Sequence, residues 1–369
     1  MLKQTKDIFL LLLIFLIPSG IESKISCKDE KGQDVDWFYL YKLPMHYAAK
    51  NSTKPRDSAG LNYLYMTSKS YDNWSLSPKQ INESSSMAGL TLEPLFANDS
   101  ILLLAYNDEF PNGTVIFSGG HAKGVVASDG VTGLWLIHSV PKFPNTTKYE
   151  YPSTGCHYGQ SFLCVTLPAS EMEKVAEQLL FNEPNIYHHN IPKELMEQFP
   201  TFEKVLQKDW IKTEPFNNVL NLITLEGKTF KSFAKSSQFN QELYEDFVAP
   251  TLDTNLLVET WRNGAGNLQS NCSRNDKVYN IQKIEEENFG LDFKTTQDHS
   301  KWAVSQSVGL KFWRWRFRST SNWICVGDIN RQQHQLVRGG GVLCQQNSKI
   351  SKLYRGLVKE YESCSKKDK

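Results

Sequence analysis

The sequence predicts a mixed α+β and α/β fold in which two β-sheet halves are flanked by helices. Three observations support this class. Runs of aromatic and β-branched residues ended by Pro, Gly, Asn or Asp recur along the chain and are typical of strands. A strand–helix–strand order appears in each half, and each half also carries one short His-x-Lys motif.

The N-terminus, residues 1–23, is interpreted as a secretory signal peptide. A lysine-bearing start precedes an apolar core from Ile8 to Ile17, and small and polar residues follow. A membrane anchor is the alternative, but the apolar run is about half the roughly 20 residues that a spanning helix needs. We therefore expect a protein that enters the secretory pathway and is not inserted in a membrane.

The first half, residues 24–200, is expected to be rich in strands. Strands are predicted at residues 35–44, 61–66, 100–108 and 134–140. A helix is predicted over 170–181, where Ser170 is the expected N-cap and Glu173 completes a capping box. The apolar face of this helix consists of Met172, Val175, Leu179 and Leu180.

The second half, residues 201–369, follows a mixed, proline-containing region at 182–230 that marks the expected boundary. A second helical region is predicted near 230–250. Strands are expected to return at 255–261, 277–284 and 322–330. The length after the signal exceeds one typical domain and suits two domains or two fused halves.

Composition is typical of a globular protein, and the net charge does not indicate a particular binding partner. Hydrophobic residues make up 40% of the chain, so a large core can be buried, and the net charge is +1 at pH 7. This charge neither favours nor excludes a nucleic-acid binder. In a compartment near pH 5, however, the eight histidines would mostly be protonated and the chain would attract polyanions.

Seven cysteines follow the signal, and in a secreted chain they predict disulfides with one cysteine left over. A zinc site is the alternative, but the sequence contains no CxxC pair. Seven Asn-x-Ser/Thr sequons also indicate the secretory pathway and predict surface asparagines. The predicted glycosylation sites are Asn51, Asn73, Asn82, Asn98, Asn112, Asn145 and Asn271.

The two His-x-Lys motifs are the main candidates for chemistry. They comprise His121 with Lys123 and His299 with Lys301. Residues two apart in a strand point to one face, so each motif aims an imidazole and an ammonium at one spot. A surface histidine beside a surface lysine is the alternative. Close approach by a ligand or another backbone is allowed around the first copy by Gly119, Gly120 and Gly124.

The motifs resemble the phospholipase D superfamily pattern H-x-K-x4-D-x6-G-S-x-N. The final polar position of that pattern falls on His138 in the first half, and GDIN in the second half resembles G-S-x-N and ends at Asn330. The acidic position is Ser128 in the first half and Gln306 in the second, with Asp129 one residue out of place. Whatever group buffers the imidazoles must therefore come from elsewhere.

A closer resemblance covers essentially the whole mature chain. The segments that carry it are ISCKDEKGQDVDWFYLYKLP, HAKGVV, LWLIHSVPKFP, YGQSFLCV, SNCS, DHSKW, WICVGDINR, GGGVLC and LVKEYESC. They are similar, in order, to the deoxyribonuclease II family. The resemblance implies a phospholipase D-like pseudo-dimer, a metal-independent acid endonuclease without a cofactor, double-stranded DNA as partner, and a lysosomal or secreted location.

The resemblance also implies roles for the motif residues. Lys123 and Lys301 would neutralise the phosphate, one histidine would attack phosphorus and form a phosphohistidine, and the other would act as acid and base. His138 and Asn330 would bind phosphate oxygens or orient the imidazoles. Products would carry 3′-phosphates. The nucleophile is not identified, although the analogy with fused dimers leans to His121.

Disulfide connectivity is likewise implied by the family. The expected bonds are Cys27–Cys164, Cys272–Cys364 and Cys325–Cys344. Relatives usually have a cysteine after HSKW, where this chain has Ala303, so Cys156 is the expected leftover thiol. The resemblance implies either a monomeric pseudo-dimer or a homodimer.

Residues 311–319, KFWRWRFRS, alternate aromatic and basic side chains between His299 and Asn330. In a strand the aromatics would line one face and the arginines the other. An edge hairpin with a buried aromatic face is one interpretation. The other is a DNA-contacting loop whose phosphate contacts come from Arg314, Arg316 and Arg318.

Two other functions compete with a nuclease. One is a catalytically inactive DNA-binding or toxin-like homologue, which the presence of both histidines and both lysines disfavours. The other is a phospholipase D-type phosphatidyl-transferase, which the closer family segments disfavour.

Overall fold

The computed structural model describes residues 24–47, 59–306 and 321–364, and within them the chain forms two large β-sheets with helices around them. This agrees with the predicted mixed fold of two sheet-based halves. The predicted signal peptide, the sequon at Asn51 and the arginine–aromatic stretch at 311–319 lie outside the described residues.

The first large sheet belongs to the first half. Its strands are β3 (Trp37–Lys42), β4 (Tyr63–Thr67), β5 (Ser70–Leu76), β6 (Leu102–Tyr106), β7 (Gly124–Ser128), β8 (Thr132–His138), β9 (Gln160–Pro168) and β10 (Ile186–Asn190). They lie in the order β10-β6-β7-β8-β9-β3-β4-β5, and all neighbours are antiparallel. A separate pair precedes this sheet and consists of β1 (Cys27–Lys28) and β2 (Asp34–Val35).

The second large sheet belongs to the second half. Its strands are β11 (Asn217–Ile223), β12 (Thr229–Lys235), β13 (Leu256–Glu259), β14 (Val278–Glu286), β15 (Leu291–Lys294), β16 (Trp302–Ser305), β17 (Trp323–Gly327), β18 (Gly340–Gln346) and β19 (Val358–Tyr361). They lie in the order β11-β12-β18-β17-β16-β13-β14-β15, with β19 paired to β14. The β13–β14 pair is parallel.

Four central strands recur in both sheets. The order β6-β7-β8-β9 in the first sheet matches β13-β16-β17-β18 in the second, and all these neighbours are antiparallel. Each His-x-Lys motif lies immediately before the second strand of its set, β7 or β16. The shared strand order therefore puts the two motifs at equivalent positions of two related sheets.

Helices cover the sheets and join the halves. They are α1 (Met87–Phe96), α2 (Met172–Asn182), α3 (Lys193–Gln198), α4 (Thr201–Leu206), α5 (Ala249–Leu252) and α6 (Ser348–Leu357). Helix α2 packs against β11 and β12 of the second sheet, and α6 packs against β5 of the first sheet. One hydrophobic cluster contains buried residues of both halves, including Tyr39, Trp302 and Tyr354. The two halves thus share a core.

The helix predicted at 170–181 forms, but its predicted cap was wrong. Residues 169–171 make a 3₁₀ turn that runs directly into α2, so the N-cap is Glu171 and no side chain caps the helix. Because Ser170 already lies within that turn, it does not take the extended geometry of a cap. Glu173 instead accepts a hydrogen bond from the Thr201 N–H at the start of α4.

The helical region predicted near 230–250 was also partly wrong. Residues 229–235 form β12, a central strand between β11 and β18. A 3₁₀ turn follows at Ser237–Phe239, and the chain is helical only from Tyr244, where a π-helix (Tyr244–Val248) runs directly into α5. Pairing on both edges of β12 outweighs the local helix preference of its Lys and Ala residues. The predicted boundary between residues 200 and 201 falls between α3 and α4, which lie in the connection between the two sheets.

Candidate active site

The imidazole of His121 is held by the second half of the chain. Its backbone N–H donates to the carbonyl of Gly339 at 2.8 Å. Its Nδ1 lies 2.6 Å from the backbone oxygen of Asp328. A carbonyl only accepts hydrogen bonds, so Nδ1 carries the proton and Nε2 presents its lone pair or a second proton.

The imidazole of His299 is held in the same way by the first half. Its backbone N–H donates to the carbonyl of Gly159 at 2.9 Å, and its Nδ1 lies 2.9 Å from the backbone oxygen of Ser139. The amide oxygen of Gln160 also lies 3.2 Å from this Nδ1. Nδ1 is again the protonated nitrogen, and Nε2 is the atom left for chemistry.

These reciprocal contacts follow a pseudo-twofold relation. The backbone N–H of His138 donates to the carbonyl of Lys123, and the backbone N–H of Gly327 donates to the carbonyl of Lys301. His138 and Gly327 are therefore equivalent. The next residues along the chain, Ser139 and Asp328, are the two carbonyl partners of the imidazoles. The carbonyl of Asp328 that holds His121 is therefore equivalent to the carbonyl of Ser139 that holds His299.

Both lysines are buried beside the histidines. Lys123 is 1% exposed and Lys301 is not exposed. The Nζ of Lys301 donates to the backbone oxygen of His299 at 2.6 Å. Burial lowers the pKa of the Lys301 ammonium well below its usual value, and the charge of Lys123 lowers it further. The charges of the two halves therefore act on a common site.

Burial also lowers the pKa of both imidazoles well below the usual histidine value. For His121 the next cause is the charge of Lys123, and for His299 it is Lys301 followed by Lys123. An ordinary histidine would be cationic near pH 5. These surroundings favour the neutral imidazole, which is the form that can act as a nucleophile.

Asp108 is a site residue that sequence reasoning missed. It follows β6, its carboxylate makes an ion pair with Lys123, and its Oδ2 lies 3.7 Å from Nε2 of His121. Burial acts to raise the pKa of this carboxyl, but Lys123 and His121 outweigh burial and hold it below its usual range. The available signal was an aspartate directly after the strand that neighbours the first His-x-Lys motif.

Arg338 is a second missed residue, and it comes from the other half. Its guanidinium donates to the carbonyls of Gly119 at 2.7 Å and Gly120 at 2.6 Å. Its Nη2 lies 3.9 Å from Oδ2 of Asp108. The glycines allow close approach by backbone, since a Cβ at Gly120 would lie 2.0 Å from the carbonyl oxygen of Asn182.

The flank of His299 is aromatic where the flank of His121 is charged. The ring centroid of Trp261 lies 5.0 Å from that of His299, and the ring of Tyr158 lies 4.5 Å from Trp261. Both aromatic side chains are partly exposed. Sequence reasoning singled out neither of them, because each lies at a position that only the sheet register connects to the motif.

Strand register makes the two flanks equivalent. Tyr106 lies opposite Gly124, directly after the first motif, and Glu259 lies opposite Trp302, directly after the second. Two residues beyond these lie Asp108 and Trp261, respectively. Likewise, Arg338 and Tyr158 each precede the glycine whose carbonyl anchors a motif histidine. A charged pair in one flank thus replaces an aromatic pair in the other.

His138 and Asn330 do not occupy equivalent positions. His138 corresponds to Gly327 in the pseudo-twofold relation, and its buried Nδ1 accepts the Val140 N–H. Burial, followed by the charge of Lys123, lowers the pKa of His138 to about 3. Asn330 accepts the backbone N–H of Trp261 at 3.2 Å. Among the described residues, neither side chain has a hydrogen bond to His121 or His299.

The three residues near the acidic position of the superfamily pattern have local roles. Ser128 donates to the carbonyl of Thr132, and Asp129 accepts the N–H groups of Val131 and Thr132 in the same turn. The side chain of Gln306 contacts Asn255 at 3.3 Å. The carboxylate beside an imidazole is therefore supplied by Asp108, from a neighbouring strand.

Three further carboxyl groups are buried around the site. Asp298 accepts hydrogen bonds from Tyr41 and Ser300. Both oxygens of Glu259 are buried without a hydrogen-bond partner among the described residues, and burial followed by Asp298 raises its pKa well above the usual value. Burial raises the pKa of Asp328 to about 7. These groups favour an uncharged state in acid.

Two buried lysines support the loops that carry Tyr158 and Arg338. Lys42 donates to the carbonyls of Cys156 and Tyr158, and Lys235 donates to the carbonyls of Gln335, Leu336 and Arg338. Lys42 lies opposite Gln160 and Lys235 lies opposite Gly340, so their register is equivalent as well. The scaffold behind both flanks is therefore the same, although the flanks differ.

The structure contains the three disulfides that the resemblance implied: Cys27–Cys164, Cys272–Cys364 and Cys325–Cys344. Cys156 takes part in none of them. The six sequon asparagines within the described residues are all exposed or partly exposed. Their modification and that of Asn51 remain predictions.

Metal-binding and membrane-spanning features are both absent from the described part of the chain. Within it, no three His, Cys, Asp or Glu side chains are grouped so that they could hold a metal ion. No described helix has both the length and the apolar character that crossing a membrane requires.

Comparison with known proteins places this site in a family context. Residues 26–364 match the family model described as Deoxyribonuclease II. The chain is 37% identical to Plancitoxin-1 of Acanthaster planci over 355 residues, which cover 94% of each chain. It is 35% identical to Deoxyribonuclease-2-alpha of Mus musculus over 352 residues, covering 92% of this chain and 94% of the relative. It is also 35% identical to Deoxyribonuclease-2 of Caenorhabditis elegans over 384 residues, covering 96% and 98%.

Proposed function

The chain belongs to the deoxyribonuclease II family and is a deoxyribonuclease, and we propose that it is a metal-independent acid endonuclease acting on double-stranded DNA through a phosphohistidine. One observation carries this proposal. Each motif histidine is anchored through Nδ1 by the opposite half, which leaves two Nε2 atoms and two buried lysines for one phosphate. This reciprocity also supports a phospholipase D-like fused dimer.

The proposed reaction has two steps. In the first, a neutral imidazole Nε2 attacks phosphorus, a P–N bond forms, and the P–O bond to the 5′-oxygen breaks. The second imidazole donates its proton to that oxygen, and Lys123 and Lys301 stabilise the charge on the phosphate oxygens. In the second step the imidazole that gave up its proton removes a proton from water. The water oxygen attacks phosphorus, the P–N bond breaks, and the 3′-phosphate leaves the nucleophilic histidine.

The unequal flanks favour one division of these roles. Of the two Nε2 atoms, that of His121 lies beside a carboxylate, Asp108, which stabilises its imidazolium. His299 is surrounded by Lys301 and Trp261 and remains neutral more readily. We therefore assign His299 as the nucleophile and His121 as the acid, although the analogy with fused dimers leans to the reverse.

The site also supports acidic operation and a lysosomal or secreted location. The lowered pKa of His299 keeps the assigned nucleophile neutral in acid, and Asp328 is protonated below about pH 7. The three disulfides suit an oxidising compartment. All four motif residues lie around one site, which disfavours an inactive toxin-like homologue. Because the two halves already form the paired site, the proposed active unit is the monomer.

Plasmid cleavage at pH 5 with a chelator present tests the proposed function. The wild-type protein should nick and linearise the plasmid, and His121→Ala and His299→Ala should each abolish cleavage. His189→Ala is the matched control, because His189 is exposed on β10 and should be dispensable. Product ends should resist polymerase extension until a phosphatase removes their 3′-phosphates.

Failure of the wild-type protein in chelator, or full activity of either motif variant, would contradict the proposal. A phospholipid substrate addresses the competing phosphatidyl-transferase, and turnover of that substrate instead of DNA would favour it.

A further inference from the structure

Trp261 and Tyr158 form an aromatic ledge beside His299. Their rings meet edge to face at 4.5 Å, and Trp261 also contacts the His299 ring. Neither ring belongs to the hydrophobic clusters of the described residues, and both are partly exposed. Core packing therefore does not account for two large aromatic side chains at this place.

The backbone of the ledge is fixed on both sides. The N–H of Trp261 donates to Asn330 at 3.2 Å, and the carbonyl of Tyr158 accepts from the buried Lys42. The ring of His157, which is exposed, extends the ledge at 4.6 Å from Tyr158. Partly exposed aromatic rings that pack on one another above a fixed backbone are suited to stacking, because little conformational freedom remains to be lost when a flat ligand binds.

The opposite flank excludes an equivalent role there. Asp108 and Arg338, which occupy the matching positions, pair with Lys123 and with the glycine carbonyls before His121. That flank offers charges and hydrogen bonds but no aromatic face among the described residues at those two positions. A substrate with one phosphate and neighbouring bases would meet an ionic surface on one side and a stacking surface on the other.

We propose that Trp261 and Tyr158 stack on a nucleobase of a nucleotide that adjoins the scissile phosphate. This inference rests on the proposed nuclease function. Each base offers a π-face, so such a contact is strong but tolerant of sequence. Reaching the ledge requires the base to leave the duplex stack, which costs least at mismatched or unpaired positions. The ledge thus favours cleavage where the duplex opens easily.

A competing explanation is that Trp261 only orients the His299 ring. The two explanations can be separated by combining protein variants with substrates that carry or lack one base. Duplex oligonucleotides carry either a normal nucleotide or a tetrahydrofuran residue without a base, on the 5′ or 3′ side of a chosen linkage. Cleavage rates at that linkage are measured on sequencing gels for the wild-type protein, Trp261→Ala and Tyr158→Ala.

The ratio of the rates with and without the base should be larger for the wild-type protein than for Trp261→Ala. The expected difference is roughly 5- to 150-fold, as base–aromatic stacking typically contributes. Tyr158→Ala should reduce the ratio in the same direction, and Trp261→Phe should retain most of it. Comparing ratios cancels the effect of base loss on the duplex itself.

Tyr65→Ala is the matched control, because Tyr65 is also a partly exposed tyrosine whose ring meets another, Tyr63, on β4. It should leave the ratio unchanged. Equal ratios for the wild-type protein and both ledge variants on both sides of the linkage would overturn the stacking proposal, even if Trp261→Ala were slow. Absence of wild-type cleavage of the normal duplex would instead refute the nuclease function.

Discussion

The two flanks of the site share one backbone plan and differ in chemistry. Both histidines are anchored by a glycine carbonyl and by a second carbonyl from the opposite half. Around His121 the equivalent positions hold Asp108 and Arg338, and around His299 they hold Trp261 and Tyr158. Reciprocal anchoring therefore fixes both imidazoles in the same way, and the proposed division of roles depends on the two positions that differ on each side.

The largest expected effect tests which histidine becomes phosphorylated. With thymidine 3′-(4-nitrophenyl phosphate), the leaving nitrophenolate needs little protonation, so an acid is dispensable in the first step. His121→Ala should give a burst of nitrophenol and a phosphorylated His299 detectable by mass spectrometry, but no cleavage of DNA. His299→Ala should give no burst. A burst from His299→Ala alone would reverse the assigned roles.

Removing the charge of Asp108 should destabilise the folded protein around Lys123 and His121. Asp108→Asn leaves the buried Lys123 without its counter-ion, which typically costs about 3–5 kcal/mol of stability. Because the pKa of Asp108 is lowered in the folded protein, this stability is present above the unfolded pKa and is lost as the pH falls through the folded pKa. The loss should therefore be measurable by urea unfolding at pH 5.

Activity of Asp108→Asn should fall by up to about 10²-fold, the lower end of what general acid catalysis contributes. The alkaline limb of kcat should also move to lower pH, because His121 loses the carboxylate that favours its protonation. Asp209→Asn is a control in an exposed ion pair with Lys212 and should change neither property. An unchanged pH profile would remove Asp108 from the acid's environment.

The effect of Asp328→Asn on stability should be smaller than that of Asp108→Asn and opposite in direction. The raised pKa of Asp328 means that its protonated form stabilises the fold fully below the unfolded pKa, and this contribution is lost as the pH rises through about 7. Relative to the wild-type protein, the variant should become more stable between pH 5 and pH 8. Its activity should be lost at lower pH than that of the wild-type protein, because the ionised Asp328 raises the pKa of Lys301 and a neutral amide does not.

Glu242→Gln is the matched control for Asp328→Asn. Burial raises the pKa of Glu242 to about 7 as well, but its neighbours are Arg331 and Glu245 rather than the motif residues. The relative stability of this variant should change with pH in the same direction, whereas its activity profile should not move. Equal activity profiles for both variants would show that the charge of Asp328 does not influence Lys301.

The smallest expected effect concerns the arginines of the 311–319 stretch. If they contact DNA, changing Arg314, Arg316 and Arg318 to alanine should flatten the salt dependence of binding by about 0.9 in log–log slope for each lost phosphate contact. Turnover of bound DNA should change little, because neither flank is altered. An unchanged slope in a binding titration would instead favour the edge-hairpin interpretation.

Local patterns of residue type are enough to determine much of this protein. Aromatic and β-branched runs located β3, β6 and β17, because such a run is a property of neighbouring residues alone. The duplicated motif identified His121 and His299, and the family resemblance implied the disulfides that the structure contains. These properties depend on residue types and short spacings.

Tertiary structure decided what surrounds each motif. The superfamily pattern matched His138 with Asn330, whereas strand register matches His138 with Gly327. Register also makes Asp108 and Trp261 equivalent in the two flanks, although nothing in their local sequences relates them. Register and cross-half contacts join residues far apart in the chain, so they emerge only when both sheets pair and close around a shared core.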